Sequence, residues 1–200
     1  MIFMTIDAKV VMQLREMTGA GIVDAKKALD ETNGDLAAAS DLLRKKGIAK
    51  AGGKADRATA EGMIHSYIHA NGKVAVLVEI LCETDFVART ERFQELGHDL
   101  AMHVAAANPL YLRPEDVPED VVAKEKEMYA EEVAGSGKPQ EIVEKIVSGK
   151  LQKYFSDVCL LNQAFVKDED LTVEERVKHA VAQLGENIQV RRFVRMTLGK

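Results

Sequence analysis

The chain has 200 residues, 46% hydrophobic and 30% charged, with no Trp and a formal net charge of −5 at pH 7. That length builds one sizeable domain or a small domain joined to a medium one, and four Pro with fourteen Gly are too few for a disordered chain. The acidic balance disfavours a dedicated nucleic-acid binder, which carries a basic surplus, and no apolar run approaches the roughly 20 residues of a membrane span.

The opening MIFMTIDAKV has no basic segment ahead of an apolar one, so no secretory signal is expected. Val10, Val11, Leu14 and Met17 share one face at helical spacing, and Thr18-Gly19 supplies a left-handed stop. Ile22, Ala25 and Leu29 form a second stripe, closed by Asn33-Gly34. Asp35 can cap a third helix with the stripe Leu36, Ala39 and Leu43, ending at Gly47. Residues 1–50 therefore read as a compact three-helix module. Residues 51–60, within the stretch IAKAGGKADRATA, have no apolar period and read as a linker, flexible or partly helical.

From residue 61 onward an α+β core domain is expected. GMIHSYIHANGKVAVLVEILCE has the pattern of a β-hairpin: alternation over Ile64–Ile68, Asn71-Gly72 as a type I′ turn, and a return strand aliphatic on both faces. Such a strand should be central and covered on both sides. RTERFQELGHDLAMHVAAANP predicts an amphipathic helix with Phe93, Leu96, Leu100 and Val104 inward, capped by either Thr84 or Thr90 and stopped at Asn108-Pro109. Pro118 opens a helix to about Ala134, acidic outside, and Pro139 opens another with Ile142, Val143, Ile146 and Val147 inward. Leu151 to Val158 suggest a further helical turn or two. Thr172 and Glu175 have the spacing of a capping box. IQVRRFVRMTL predicts a strand with Ile188, Val190, Val194, Met196 and Leu198 on its buried face, the third member of a small antiparallel sheet packed by helices.

Catalytic constellations are hard to find. GSGK at 135–138 lacks the glycine of a phosphate loop at position 132, which is Glu132, and Pro139 stands where Ser or Thr would bind magnesium. His65 and His69 are separated by roughly 13 Å of strand, too far to share a metal. Cys82 and Cys159 lie in apolar stretches and read as buried thiols of a reducing, cytoplasmic compartment. Neither a metal nor a cofactor is expected. Two charged segments stand out: six Lys/Arg against one Asp over residues 44–57, and eight acids against two Lys over 115–132. Both read as solvated surface. The informative residues are instead at exposed turns and strand–helix corners, above all CETDFVAR at 82–89, where a rigid strand ends in an acid and an aromatic ring.

LREMTGAGIVDAKKAL, NGDL, LRKKG, CETDFVAR, SGKPQEIVEKIVSGK and GENIQVRRF, in this order, resemble the bacterial translation elongation factor Ts family over nearly the whole chain. The length is similar to the short forms of that family, which lack an inserted coiled coil. The resemblance implies a ubiquitin-associated-type N-terminal module and a non-enzymatic guanine-nucleotide exchange factor for elongation factor Tu, bound in its GDP and nucleotide-free states. It implies that Thr84, Asp85, Phe86 and Val87 help dislodge the partner's Mg²⁺. Leu14, Arg15, Met17, Thr18, Gly19, Ala20 and Gly21 are implied to dock on the GTPase domain. A homodimer through the core sheet is compatible with it; direct nucleic-acid or membrane contact is not expected. Two alternatives stand beside it: an adaptor whose three-helix module binds helical or ubiquitin-like partners, and a cysteine hydrolase built on Cys82. For Phe86, the competing structural reading is membership of the helix core, seven residues before Phe93.

Overall fold

A computed structural model describes residues 6–134 and 139–199. The GSGK stretch lies outside the described residues. By internal packing the chain falls into two compact units. One holds the chain up to Met63 together with Leu81–Leu96 and Val177–Gln189; the other holds Ile64–Ile80, Gly97–Arg176 and the chain from Val190.

In the first unit, three helices form the N-terminal module: α1 (Ala8–Thr18), α2 (Ile22–Glu31) and α3 (Leu36–Gly52). Their caps follow from local chemistry. The Asp7 carboxylate accepts from Lys9 N–H, Gly19 closes α1 at φ 68°, and Asp35 accepts from Ala38 N–H at 3.0 Å. Val11, Leu14, Ala25, Ala28, Leu29 and Ala39 make the core, with Val10, Leu36 and Leu43 half-buried around it. Two expected core members, Met17 and Ile22, are instead exposed. They flank the α1–α2 turn, beyond the reach of a core built half from alanines.

Gly47 does not end α3, which runs on to Gly52 and so takes in the start of the expected linker. A Cβ on Gly47 would meet the Ala182 Cβ at 3.1 Å, so this glycine serves close approach of another helix and not termination. After α3, residues 53–57 are tied down: Asn187 Nδ2 donates to the carbonyls of Ala55 (3.1 Å) and Arg57 (2.7 Å), and Lys54 Nζ to that of Gly185 (2.7 Å).

Strands β1 (Glu61–Ile68), β2 (Val74–Cys82) and β5 (Gln189–Thr197) form a small antiparallel sheet in the order β1-β2-β5. The β1–β2 turn differs from the type I′ expectation. Only Gly72 has positive φ (66°); Gly72 N–H donates to His69 C=O, and the Asn71 side chain accepts from Lys73 N–H instead of setting a left-handed backbone. β2 is central as expected, with Val76, Val78 and Ile80 fully buried, yet it is covered on one face only: Leu77 is exposed.

β5 also departs from the simple alternation. Ile188 and Val190 are buried, Arg191 and Arg192 are both exposed, and from there the half-buried residues are Phe193, Arg195 and Thr197. Val194, Met196 and Leu198, expected inward, face solvent. The shift has an electrostatic cause. Arg195 reaches the last turn of α5 (Glu91–Ala107), where its Nε and Nη2 donate to Ala105 C=O at 3.3 and 3.2 Å, a cation at a helix C-terminus.

Helix α5 holds its predicted stripe: Phe93, Leu96, Leu100 and Val104 are all fully buried. The two candidate caps are both used. Thr84 caps a four-residue helix α4 (Asp85–Ala88), and the Thr90 hydroxyl accepts from Phe93 N–H at 3.3 Å to open α5.

In the second unit, α6 (Glu119–Ala134) packs on α7 (Gln140–Val158), which is one continuous helix where two segments were expected; Ile142 is exposed on it, while Val143, Ile146 and Val147 are half-buried. A two-stranded sheet, β3 (Ala164–Phe165) with β4 (Asp168–Thr172), was not legible because its strands are too short to show a period. Helix α8 (Val173–Leu184) follows, opened by the predicted capping box: Thr172 N–H donates to the Glu175 carboxylate and Glu175 N–H to the Thr172 hydroxyl.

A buried polar clasp holds β3–β4 to α5. Val166 N–H donates to His103 Nδ1 at 3.1 Å, which makes Nδ1 an acceptor and leaves the proton on Nε2, donating to Gln163 Oε1 at 2.9 Å. The imidazole is therefore neutral, and burial lowers its pKa below the ordinary 6.5. His65 is lowered too, by burial and by the His98 ring 5.6 Å away. A depressed folded-state value means that the unfolded chain takes up protons first as pH falls. Stability is thus full above about pH 6.5 and declines below it, toward the lower folded values. Urea unfolding midpoints measured from pH 7.5 to 5 are expected to show this fall, and His103→Asn, which cannot titrate, to show a smaller one from a lower starting point.

Candidate functional site

The first unit contains both sequence stretches singled out above, residues 14–21 and 84–87. Strand β2 ends at Cys82, and a chain leaving a core there exposes backbone donors that must find acceptors. Glu186, in the loop before β5, supplies one carboxylate for two of them and for a neighbouring hydroxyl. Its Oε2 accepts from Glu83 N–H (3.1 Å) and Thr84 N–H (3.0 Å), and its Oε1 accepts from the Thr84 hydroxyl (2.7 Å). The arrangement is reciprocal: the Glu83 carboxylate accepts from Asn187 N–H at 2.6 Å and pairs with Arg57 at 3.5 Å. Since Asn187 also holds residues 55 and 57, the strand end, the loop 185–187 and the segment after α3 form one hydrogen-bonded bracket.

On this bracket stands α4. The Thr84 hydroxyl accepts from Val87 N–H at 3.4 Å, and Val87 C=O accepts from the Thr90 hydroxyl at 2.8 Å. Asp85 meets Arg89 at 2.9 Å, one helical turn on. Phe86 is 79% exposed, whereas Phe93 is fully buried. The two rings share a sequence face but not an environment, and Phe86 contributes nothing to the core. Val87 is half-buried.

Cys82 is wholly buried, and its thiol donates to Thr84 C=O at 3.2 Å. Burial, and then the Glu186 carboxylate, push its pKa up, which is the reverse of what a nucleophile needs. Cys159 is raised to about 11 by burial and the nearby Asp116 and Glu115. Both thiols are free. Among the described residues no group of three or more His, Cys, Asp or Glu is arranged to hold a metal ion, and no helix is long and apolar enough to cross a membrane.

The other stretch surrounds the α1–α2 turn. Leu14 is fully buried and supports the surface from behind. Arg15, Met17 and Gly21 are exposed, and Thr18, Gly19 and Ala20 are half-buried. The turn is fastened: the Thr18 hydroxyl donates to Leu14 C=O at 2.7 Å, and Gln183 Nε2 of α8 donates to Thr18 C=O at 2.9 Å. Position 19 needs glycine for its positive φ, and a Cβ there would press on the Arg92 and Gln183 side chains at 3.2 Å. Met12, Met17, Ile22 and Val23 all present exposed apolar side chains around it.

Sequence reasoning singled out the two presenting segments but not their supports, Glu186, Asn187, Glu83 and Gln183. GENIQVRRF contains two of them in plain view, yet nothing local shows that Glu186 faces a strand end a hundred residues earlier.

Comparison with known proteins agrees with the motifs. Residues 51–200 match the family model described as Elongation factor TS. The chain is 56% identical over 195 residues to the elongation factor Ts of Thermosipho melanesiensis, covering 98% of this chain and all of that protein. It is 54% identical over 197 residues to that of Fervidobacterium nodosum, with the same coverage, and 52% identical to that of Geobacter sulfurreducens, of which 91% is covered. With the family model spanning the α+β part and relatives of this identity spanning the N-terminal helices as well, the chain belongs to the elongation factor Ts family of translation elongation factors.

Proposed function

We propose that the chain is a guanine-nucleotide exchange factor for elongation factor Tu, acting without catalytic chemistry of its own. The observation that carries this reading is Phe86: a phenyl ring 79% exposed on a four-residue helix capped by Thr84, at the end of a strand that is pinned by hydrogen bonds. An exposed aromatic ring on a fixed mount is the kind of residue that anchors a partner when it fills a pocket there. The exposed apolar turn around Met17 and Val23, in the same compact unit, supplies a docking surface for the GTPase domain.

GDP is held on such a GTPase by backbone amides, a lysine and a Mg²⁺ bridging phosphate and protein. Accelerating its release about ten-thousandfold needs roughly 5.5 kcal/mol of preference for the nucleotide-free state. By linkage, GDP weakens factor binding to the same extent. Burying the Phe86 ring in the partner contributes about 1.5–3 kcal/mol of this, and the rest of the interface supplies the remainder. Asp85 exchanges its Arg89 partner for groups that organise the Mg²⁺ site, or repels the phosphates. On this reading the chain works in the cytoplasm, with both thiols reduced.

The sheet offers a second contact. Ile64, Ile68, Leu77, Val194 and Met196 are exposed on it, and Glu79 on β2 pairs with both Arg191 and Arg192. A face bearing apolar residues together with both charge signs is self-complementary about a two-fold axis, and its proposed occupant is the same face of a second copy.

Two measurements check these readings. In a labelled-GDP release assay with elongation factor Tu, Asp85→Ala/Phe86→Ala is expected to lower the acceleration about 10- to 100-fold, as the lost ring burial requires, with an unchanged circular dichroism spectrum. Native acceleration by the folded double variant would overturn the assignment. In sedimentation equilibrium, Leu77→Glu and Val194→Glu are expected to convert a dimer into a folded monomer; native and variant chains of equal mass would remove the second copy.

A further inference from the structure

The bracket beneath α4 is more elaborate than a strand end requires. One hydrogen-bonded acceptor would satisfy each of the two backbone donors at Glu83 and Thr84, and water is available at this half-buried corner. Instead a single carboxylate takes both of them and the Thr84 hydroxyl as well. Charged acceptors make hydrogen bonds roughly twice as strong as neutral ones. The hydroxyl that Glu186 engages is the same one that caps α4 by accepting from Val87 N–H. With its proton committed to Glu186 Oε1, the Thr84 oxygen has its lone pairs left for the helix, so the cap and the carboxylate reinforce each other.

Glu186 itself cannot drift. Gly185 C=O before it accepts from Lys54, and Asn187 after it is held through its backbone N–H by Glu83 and through its side chain by the carbonyls of Ala55 and Arg57. Every one of these groups lies in the first compact unit. The chain thus runs from a fixed carboxylate through Thr84 to a four-residue helix whose second residue is Phe86. A helix of that length does not hold itself together.

We propose that Glu186 is a positioning residue for nucleotide exchange: it touches neither the partner nor its nucleotide, and it acts by fixing Thr84 and thereby the direction in which Phe86 is presented. The role rests on the exchange reading given above. Losing the carboxylate leaves Thr84 free to rotate and α4 free to fray, so Phe86 enters its slot from a disordered ensemble. Misplacement by about 1 Å at a reacting site costs up to roughly 100-fold. The apolar turn around Met17 is untouched, so encounter with the partner is preserved while the step that expels GDP slows.

Steady-state exchange is measured with the full chain and elongation factor Tu·GDP, for native protein, Glu186→Ala, Phe86→Ala and the double variant. Glu186→Ala is expected to lower kcat about tenfold, never more than Phe86→Ala does, with KM changed less than about threefold. In the Phe86→Ala background it is expected to have almost no further effect, because there is no ring left to position. Glu186→Gln, which keeps one acceptor oxygen, is expected to fall between native and alanine. Glu186→Gln also carries the cycle if Glu186→Ala does not fold. Native kcat in the folded Glu186 variants overturns the proposal, and so does a loss that repeats in full on top of Phe86→Ala, the mark of a role in the fold alone. No acceleration by the native chain sinks the exchange reading. Phe86→Ala at the native rate overturns the role of Phe86 and this proposal together while leaving exchange in place, whereas a slow Phe86→Ala beside a native Glu186→Ala sinks only the positioning role of Glu186.

Discussion

A strand that ends inside a protein leaves its last amide groups needing partners, and here the need is met by a carboxylate from the far end of the chain. Three hydrogen bonds from residues 83 and 84 converge on Glu186. Around that contact the rest of the first unit is arranged. Asn187 returns a bond to Glu83 and reaches the backbone after α3. Thr84 becomes free to cap α4, and Thr90 follows as the cap of α5. Half-buried charge of this kind is tolerated because both carboxylate oxygens accept hydrogen bonds. The outcome is a corner of unusual polarity: a charge and a ring held outward where a loop would normally relax.

The N-terminal helices solve a different problem. Three short helices enclose little volume, and this core uses Ala25, Ala28 and Ala39 to close it. That core stops short of the α1–α2 turn, where Met17, Ile22 and Val23 are exposed. A sequence stripe names the helix face; it does not say where along the helix the core stops. Met17 and Ile22 were assigned inward for that reason. Glycine commonly ends helices, yet Gly47 serves contact with Ala182, and only the neighbour makes the difference.

The sheet shows the same division. Alternation located β1 and β5, and the aliphatic run located β2 and its central place. Covering β2 on both faces was a fair expectation from composition, but the open face carries exposed Ile64, Leu77 and Val194. In β5 the phase shifts by one at the paired arginines, and Arg195 turns in to donate twice to the Ala105 carbonyl in the last turn of α5. A period of two fails wherever a long side chain finds a distant partner worth more than strict alternation. The short β3–β4 pair depends on the buried His103 clasp and carries no period at all.

Local chemistry in the linear chain was enough for the caps at Asp35 and Thr172, for the buried stripe of α5, and for the motifs that mark the elongation factor Ts family; between Thr84 and Thr90 it left the choice open, and the fold uses both. These depend on residues within a few positions of one another, where backbone geometry leaves little choice. The folded chain alone assigns the environment of each side chain. It separates Phe86 on α4 from Phe93 on α5, though their spacing of seven would suit one helical face, and joins Glu186 to Thr84 across about a hundred residues. Exposure and long-range hydrogen bonding are properties of what packs around a residue, and the neighbours in space are not the neighbours in sequence.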